Sequence, residues 1–338
     1  MPADAPFSKY DAVLLVSFGG PEGMDDVMPF LENVLRGRNV PRERMLGVAK
    51  HYERFGGVSP INQQNRNLLA ALSAELETNG PHLPVYFGNR NWHPLLTDTL
   101  AQMRADGIKS ALAFVTSAYS SYSSCRQYLE NIASARDLVG PGAPEVEKLR
   151  PFFNHPGFIQ ANVENIKAKL LETSEESRAT VVLIFTAHSI PEAMAHNCDY
   201  ETQLSEAGRL IAEESGIKDW HLVFQSRSGS PTQPWLGPDV CEFLQDLKTR
   251  GVNDVVVAPI GFISDHMEVI YDLDVQAREL SDRIGLRMRR AATAGTHPAF
   301  VKMIRELIME KLDPAQEKRF LGQFPPGPTC GVGCCLAS

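Results

Sequence analysis

The stretch DAVLLVSFGG, residues 11–20, decides the fold class of this chain. An apolar, β-rich run that ends at Gly-Gly is typical of a buried parallel strand leading into a loop. A helical repeat of apolar residues follows in MDDVMPFLENVLRG, residues 24–37. Strand-like runs followed by polar or amphipathic stretches recur at residues 83–90 and 111–123. This alternation predicts an α/β unit built on a parallel sheet.

The same alternation starts again in the second half of the chain. ATVVLIFTAHSIP, residues 179–191, predicts a strand, and residues 200–216 predict a helix that ends at its last residue, a glycine. Strands are predicted again at residues 220–226 and 254–264, with a helix over residues 237–251 between them. The two halves have the same kinds of predicted elements, but their amino-acid sequences differ. We therefore predict two similar α/β halves and not a sequence repeat.

The boundary between these halves is expected where proline and glycine gather, in GPGAPEVEKLRPFFNHPGF, residues 140–158. We predict an N-terminal domain over residues 8–150 and a C-terminal domain over residues 151–322. A cysteine-bearing tail, residues 323–338, follows them.

The composition narrows the class of protein. Of the 338 residues, 43% are hydrophobic and 22% are charged, which is typical of a globular protein. A net charge of −8 argues against a nucleic-acid partner. No apolar run approaches the roughly 18 residues needed for a transmembrane segment, and the N-terminus lacks a signal-peptide pattern, so a cytoplasmic location is expected. The absence of GxGxxG and Walker motifs weakens the case for a nucleotide cofactor.

Candidate catalytic side chains follow two of the predicted strands. His188 ends the strand of residues 179–191, and His266 and Glu268 come directly after another, with Asp272 four residues beyond Glu268. Ligands collect at the carboxyl ends of parallel strands, and imidazole with paired carboxylates can bind and release divalent cations. Alternatively, His188 is a polar residue whose hydrogen bonds are satisfied at a strand end, and the carboxylates form a solvated acidic stripe on the surface.

Two other loops are rich in rings and hydroxyls. TSAYSSYSSCRQY, residues 116–128, follows a predicted strand, and HYERFGGVSPINQQNR, residues 51–66, is similar in kind. Trp92 and His93 follow another strand. Such loops would suit a flat amphipathic ligand. Taken alone, the first is better explained as a serine-rich loop whose tyrosines pack locally.

The C-terminal stretch PTCGVGCCLAS, residues 328–338, contains half of the six cysteines. A glycine-rich tail cannot bury thiols as core residues, and structural disulfides are rare in a reducing cytosol. Metal binding, an iron–sulfur centre or redox chemistry therefore explains the group better. Zinc is one metal that such cysteines could bind.

Five motifs, in order along nearly the whole chain, resemble those of the ferrochelatases: VSFGGPE, FGGVSPINQQN, NWHP, FTAHSIP and GFISDHMEVIYDLD. The N-terminal loops are most similar to the actinobacterial branch. This resemblance implies two Rossmann-like domains around a cleft. It also implies insertion of ferrous iron into a porphyrin without a redox cofactor.

The resemblance implies roles for particular residues as well. His188 would take pyrrole protons or bind the incoming iron. Glu268 would face it and assist metal delivery or proton removal, and Asp272 would continue the acidic ridge behind Glu268. Phe18 stands where some members have a tyrosine that ligates the product iron, so this ligand is not expected here. Gln276 stands where the acidic ridge would have its third carboxylate, so a second, outer metal ion is not expected. The residues expected to contact the substrate are Phe18, Ser59, Trp92, His93, Ser117, Tyr119 and Tyr122.

The actinobacterial branch makes haem through coproporphyrin III, which is therefore the expected substrate. Protoporphyrin IX, another tetrapyrrole with another metal, and non-catalytic tetrapyrrole binding are the alternatives. Some members also carry a 2Fe–2S cluster held by one internal and three C-terminal cysteines, which here implies Cys125, Cys330, Cys334 and Cys335. Cys198 is the reserve internal ligand, and Cys241 is expected in the core. By resemblance, the protein is expected to be a monomer.

Overall fold

The computed structural model describes residues 9–37, 40–228, 232–326 and 334–337. Over these residues the chain is an α/β protein whose eight strands form two parallel four-stranded sheets. In chain order the strands are β1 (Ala12–Ser17), β2 (Val85–Asn89), β3 (Ser110–Val115), β4 (Glu145–Lys148), β5 (Val182–His188), β6 (Trp220–Gln225), β7 (Asp254–Ala258) and β8 (Arg287–Arg290).

The two sheets share one topology. Their strand orders are β2-β1-β3-β4 and β6-β5-β7-β8, so in each half the first strand of the chain lies between the second and the third. All neighbouring strands are parallel; Val13, for example, is in register with Val85 and with Leu112. The predicted α/β class with two similar halves is confirmed.

Helices connect the strands and cover the sheets. None of the helices within the described ranges has the length and apolar character needed to cross a membrane. The helices are α1 (Met24–Val34), α2 (Arg42–Glu53), α3 (Ile61–Asn79), α4 (Leu96–Ala105), α5 (Gln127–Val139), α6 (Pro156–Leu170), α7 (Glu175–Thr180), α8 (Glu192–Ala195), α9 (Tyr200–Ser215), α10 (Val240–Thr249), α11 (Met267–Tyr271), α12 (Arg278–Ile284) and α13 (Pro298–Leu312), with π-helical turns at Tyr122–Arg126 and Asp272–Ala277.

The apolar runs of the sequence became the central strands. All six residues of β1 are buried, as expected for a strand covered on both faces. The helix predicted over residues 200–216 is α9, and it ends at Gly216, whose φ of 74° is a left-handed conformation that glycine adopts at little cost. The short strands β4 and β8 were not predicted.

One hydrophobic core joins the two halves. It contains Leu15 and Leu72 from the N-terminal half together with Phe158, Phe185 and Phe300. Helix α13 packs against both α3 and α6, so the C-terminal helix contributes to the packing of the N-terminal half. The boundary proposed between residues 150 and 151 lies between β4 and α6 and stays a prediction.

The loops that follow the strands of one sheet meet those of the other. The hydroxyl of Tyr119, after β3, donates a 3.0 Å hydrogen bond to the carbonyl of Ile260, after β7. The backbone N–H of Asp265 donates to Oε1 of Gln64 on α3, at 2.8 Å. These contacts hold the carboxyl ends of both sheets together, where the sequence placed the candidate site.

Candidate active site at the strand ends

His188 is the last residue of β5, and its imidazole lies next to the carboxylate of Glu268 on α11. The distance from His188 Nε2 to Glu268 Oε1 is 3.5 Å. The other ring nitrogen, Nδ1, hydrogen-bonds to the carbonyl of Ser189, which fixes the ring orientation. The hydroxyl of Tyr200 donates to the His188 carbonyl at 3.1 Å. The structure therefore brings together the two residues that the sequence placed on separate strand ends.

His266 plays a different part from His188. It is the N-cap of α11, and its Nδ1 accepts a 3.1 Å hydrogen bond from the backbone N–H of Glu268. Burial lowers the pKa of His266, and the neutral ring is the form that can accept this bond. His266 thus fixes the start of the helix that presents Glu268.

Asp272 follows Glu268 by one turn and begins the second π-helical turn. Its carboxylate accepts a hydrogen bond from the hydroxyl of Ser226, a residue in an uncommon left-handed conformation with φ 62°. Gln225, at the end of β6, donates from Nε2 to the Glu268 carbonyl at 2.7 Å. Gln225 and Ser226 thus hold in place α11 and the π-helical turn that follows it, which we call the acidic helix. Neither residue was predicted from the sequence, because neither side chain bears a charge.

The three titratable groups perturb one another. Burial disfavours charge on His188, but the Glu268 carboxylate outweighs it and raises the pKa of the imidazole. Burial likewise opposes ionisation of Glu268, yet His188 keeps the pKa of that carboxyl below its ordinary value. Burial raises the pKa of Asp272 to about 7, and the charge of Glu268 adds to the rise. At neutral pH the site therefore holds an imidazolium–carboxylate pair beside an aspartate poised to gain or lose a proton.

An aromatic cluster from the N-terminal half lies against this acidic helix. Phe30 and Tyr52 are buried in one cluster with Met267, the neighbour of Glu268. Phe18, in the loop after β1, packs edge-to-face on Phe30 with centroids 6.3 Å apart, and Trp92 does the same at 6.1 Å. Phe18 keeps 36% of its surface exposed, so it can still contact a ligand.

The remaining predicted substrate contacts differ in their exposure. His93 is exposed, whereas Ser117 and Tyr122 are half-buried. The Tyr122 hydroxyl donates to Glu130 at 3.0 Å. Ser59 is buried, and a side chain at Gly20 would collide with it.

Tyr119 requires a correction. It is 1% exposed, and its hydroxyl is already bonded to Ile260, so the ring packs between the two halves and does not face a ligand. The alternative of tyrosine packing in a serine-rich loop applies to this residue.

Cys334 contacts Arg126, the residue that follows Cys125 in the chain. Cys125 is buried in the first π-helical turn, and the neighbouring Arg126 donates a 3.2 Å hydrogen bond to the Cys334 carbonyl. The sulfurs of Cys334 and Cys335 are 3.4 Å apart. Cys330 lies outside the described residues.

Cys198 and Cys241 pack against the two largest hydrophobic cores.

Within the described ranges, no three His, Cys, Asp or Glu side chains are grouped closely enough to hold a metal ion. His188 and Glu268 offer one nitrogen and one carboxylate. An incomplete ligand set of this kind suits a metal that arrives and leaves better than one held permanently.

Comparisons with known proteins agree with this geometry. The ferrochelatase family model matches residues 10–312. A ferrochelatase from Rhodopirellula baltica is 58% identical over 97% of this chain and 93% of its own length. A coproporphyrin III ferrochelatase from Nocardia farcinica is 49% identical over 96% of each chain.

Among solved structures, SirB from Bacillus subtilis with Fe3+ has a similar fold, with a TM-score of 0.57. The superposition covers 91% of this chain and 98% of SirB at 11% identity, so it concerns the fold alone. The family match spans both sheets and all the strand-end residues described above. The chain therefore belongs to the ferrochelatase family, the lyases that insert ferrous iron into porphyrins.

Proposed function

We propose that this protein inserts ferrous iron into coproporphyrin III and so forms coproheme in haem biosynthesis. The observation that carries the proposal is the His188–Glu268 pair, 3.5 Å apart where the strand ends of both sheets meet. Relatives that are 47% to 49% identical over nearly the whole chain bear the name coproporphyrin III ferrochelatase, which supports the choice of porphyrin.

Each residue of the site has its own proposed role in metallation. The reaction removes pyrrole protons and strips water from a divalent ion, so it needs a base and metal ligands close to the macrocycle. His188 accepts pyrrole protons or binds the incoming iron, Glu268 guides the metal or accepts protons, and Asp272 extends the acidic path behind it. The proposed contacts to the macrocycle and its carboxylates are Phe18, Ser59, Trp92, His93, Ser117 and Tyr122.

The substrate is tested by steady-state metallation with ferrous iron and each porphyrin under anaerobic conditions. We expect a higher kcat/KM for coproporphyrin III than for protoporphyrin IX, because coproporphyrin III carries more carboxylates for polar groups to bind. A preference for protoporphyrin IX would overturn the substrate assignment. Turnover with neither porphyrin would favour another tetrapyrrole chelatase or a non-catalytic binder.

The roles are tested by two substitutions and a matched control. His188→Ala and Glu268→Gln should abolish or strongly reduce metallation while the protein stays folded and still binds porphyrin. His221→Ala is the control, because His221 also pairs with a carboxylate, that of Asp219 at 3.0 Å, but lies near the start of β6. Activity of His188→Ala within a few fold of wild type would refute the assignment. If Glu268→Gln altered only porphyrin affinity, Glu268 would become a binding residue.

A 2Fe–2S cluster held by Cys125, Cys330, Cys334 and Cys335 belongs to the same proposal. Its support is the bond from Arg126 to the Cys334 carbonyl, which anchors the tail beside Cys125, and the adjacent sulfurs of Cys334 and Cys335. A 2Fe–2S cluster needs four thiolates, which these positions would supply. Cys125, Cys334 and Cys335 are described in the structure but are not grouped there closely enough to hold a metal ion. Iron insertion needs no electron transfer, so the cluster would have a structural or sensory role.

The cluster is tested by its colour and its iron content. Anaerobically purified protein should be reddish-brown and contain about two irons and two sulfides per chain. Serine at any of the four positions should remove the colour. Colourless protein that contains zinc would replace the cluster by a zinc site. A cluster that survives Cys125→Ser would point to Cys198 as the internal ligand.

The remaining proposals concern the whole molecule. We propose a cytoplasmic monomer with domains over residues 8–150 and 151–322 and the tail over residues 323–338. Sedimentation would show the mass of one chain, and cell fractionation would recover the protein with the cytoplasm. Limited proteolysis should cut between residues 140 and 158 if the proposed boundary is correct.

A further inference from the structure

Arg290, the last residue of β8, binds two carboxylates at once. Its Nε and Nη2 lie 2.6 and 2.8 Å from the two carboxylate oxygens of Asp274. Its Nη1 and Nη2 lie 3.1 and 3.2 Å from the oxygens of Asp265. The Arg290 side chain is only 15% exposed, so these charge-assisted bonds are poorly screened by solvent. This arrangement was not predicted from the sequence.

Asp265 and Asp274 lie on either side of the segment that carries Glu268 and Asp272, which we call the catalytic segment. Asp265 lies three residues before Glu268, and Asp274 lies two residues after Asp272. Asp265 belongs to the loop after β7, and Asp274 belongs to the π-helical turn that follows α11. A single guanidinium therefore ties both ends of the catalytic segment to the edge strand β8.

Without this cation, Asp265 and Asp274 would be like charges facing one site. Their mutual repulsion would drive the two side chains apart. Separation would move the segment between them, which carries Glu268 and Asp272. Among the described residues, the Thr293 hydroxyl also contacts the Asp265 carboxylate, at 3.4 Å, and the Asp265 backbone N–H donates to Gln64 at 2.8 Å. Neither contact supplies a positive charge to offset the repulsion.

We propose that Arg290 is a positioning residue for metal insertion. Its guanidinium bonds to both Asp265 and Asp274 and offsets the repulsion between them, so that Glu268 and Asp272 remain the carboxylates presented to His188. Four acidic residues of one short segment are thereby divided into a structural pair and a reactive pair. This inference rests on the roles proposed above for His188 and Glu268.

The test compares Arg290→Met with a variant in which the charges are rebalanced. We expect Arg290→Met to lower kcat by about tenfold or more, because small displacements of reacting groups are costly. Porphyrin affinity, measured by fluorescence quenching, should change by no more than about twofold, since Arg290 contacts no proposed substrate residue. The triple variant Asp265→Asn, Arg290→Met, Asp274→Asn should regain most of the lost kcat, because it removes the repulsion together with the cation.

Arg287→Met is the matched control. Arg287 stands at the other end of β8 and pairs with Asp254 at 2.8 Å, and Asp254 keeps Arg289 as a second partner. This variant should have the kcat of wild type. Recovery of kcat in the triple variant separates charge balance from a purely structural role, which would lower the melting temperature without changing the rate per folded molecule.

Wild-type kcat in folded Arg290→Met, or a folded triple variant no faster than Arg290→Met, would overturn the inference. If Arg290→Met does not fold, Arg290→Lys carries the test, because one ammonium cannot bridge both carboxylates as the planar fork does. A kcat at least about threefold lower with an unchanged melting curve would support the inference, and an unchanged kcat would overturn it. His188→Ala is assayed in parallel, so that full activity there would refute the proposed function itself.

Discussion

Replacing Glu268 by glutamine should lower the pKa of His188 in the metal-free protein. The amide keeps the shape of the side chain but removes the negative charge beside the imidazole. That charge is what overcomes the effect of burial and raises the pKa of His188. The substitution therefore tests the electrostatic coupling directly, without depending on turnover.

The size of the shift follows from the distance. Nε2 of His188 and Oε1 of Glu268 are 3.5 Å apart. Coulomb's law at this separation gives about 5 kcal/mol for an effective dielectric constant of about 20 and about 1 kcal/mol in bulk water. The two side chains are 30% and 48% exposed, so screening reduces the interaction to about 2 kcal/mol. Since one pKa unit equals about 1.4 kcal/mol, the pKa should fall by about 1.5 units.

The measurement is an NMR titration of the imidazole resonances in wild type and Glu268→Gln. The chain has nine histidines, and His188→Asn would identify the resonance by its loss. Asp219→Asn is the control, because it removes the carboxylate partner of His221 and should leave the His188 resonance unchanged. A wild-type pKa near 6.5 for His188, unaffected by Glu268→Gln, would refute the coupling.

Three further substitutions test the site and its support. Tyr119→Phe should cost about 1 to 3 kcal/mol in denaturant unfolding, because the buried Ile260 carbonyl loses its donor; lost activity with intact stability would instead restore Tyr119 as a substrate contact. Gly261→Ala should destabilise the protein by about 2 kcal/mol or more, since the new Cβ would lie 2.6 Å from Ala187, and an unchanged melting temperature would contradict this packing. Phe18→Tyr should retain turnover and shift the absorption of bound haem by adding an oxygen ligand, whereas an unchanged spectrum would mean that the first loop does not reach the iron.

The sequence predicted three strands of each sheet, including the edge strands β2 and β6, but it missed the other edge strand of each sheet, β4 and β8. Strands β1, β5 and β7 are continuous apolar runs, because both faces of a parallel sheet are covered by helices. Strand β4 reads EVEK and β8 reads RMRR, each only four residues long and mostly charged. Charged side chains are tolerated on edge strands, so the composition of these segments resembles that of a loop.

The candidate site was also predicted only in part. His188 and Glu268 could be found because each follows a strand and bears a group capable of acid–base or metal chemistry. Gln225 and Arg290 could not be found, because their roles depend on which strand lies beside which in the folded sheet. Tyr119 shows the opposite error, since a hydroxyl in a loop can face the interior as well as a ligand.

The charge state of the His188–Glu268 pair bears on how metallation begins. A raised pKa means that His188 carries a proton in the resting protein and cannot yet accept one from a pyrrole nitrogen. An approaching dication repels the imidazolium and is attracted by Glu268, so its arrival favours the neutral ring. Asp272, with a pKa of about 7, lies one turn behind and can take up or release a proton near neutral pH. In the proposed mechanism, arrival of the metal and release of the base are therefore coupled through one ion pair.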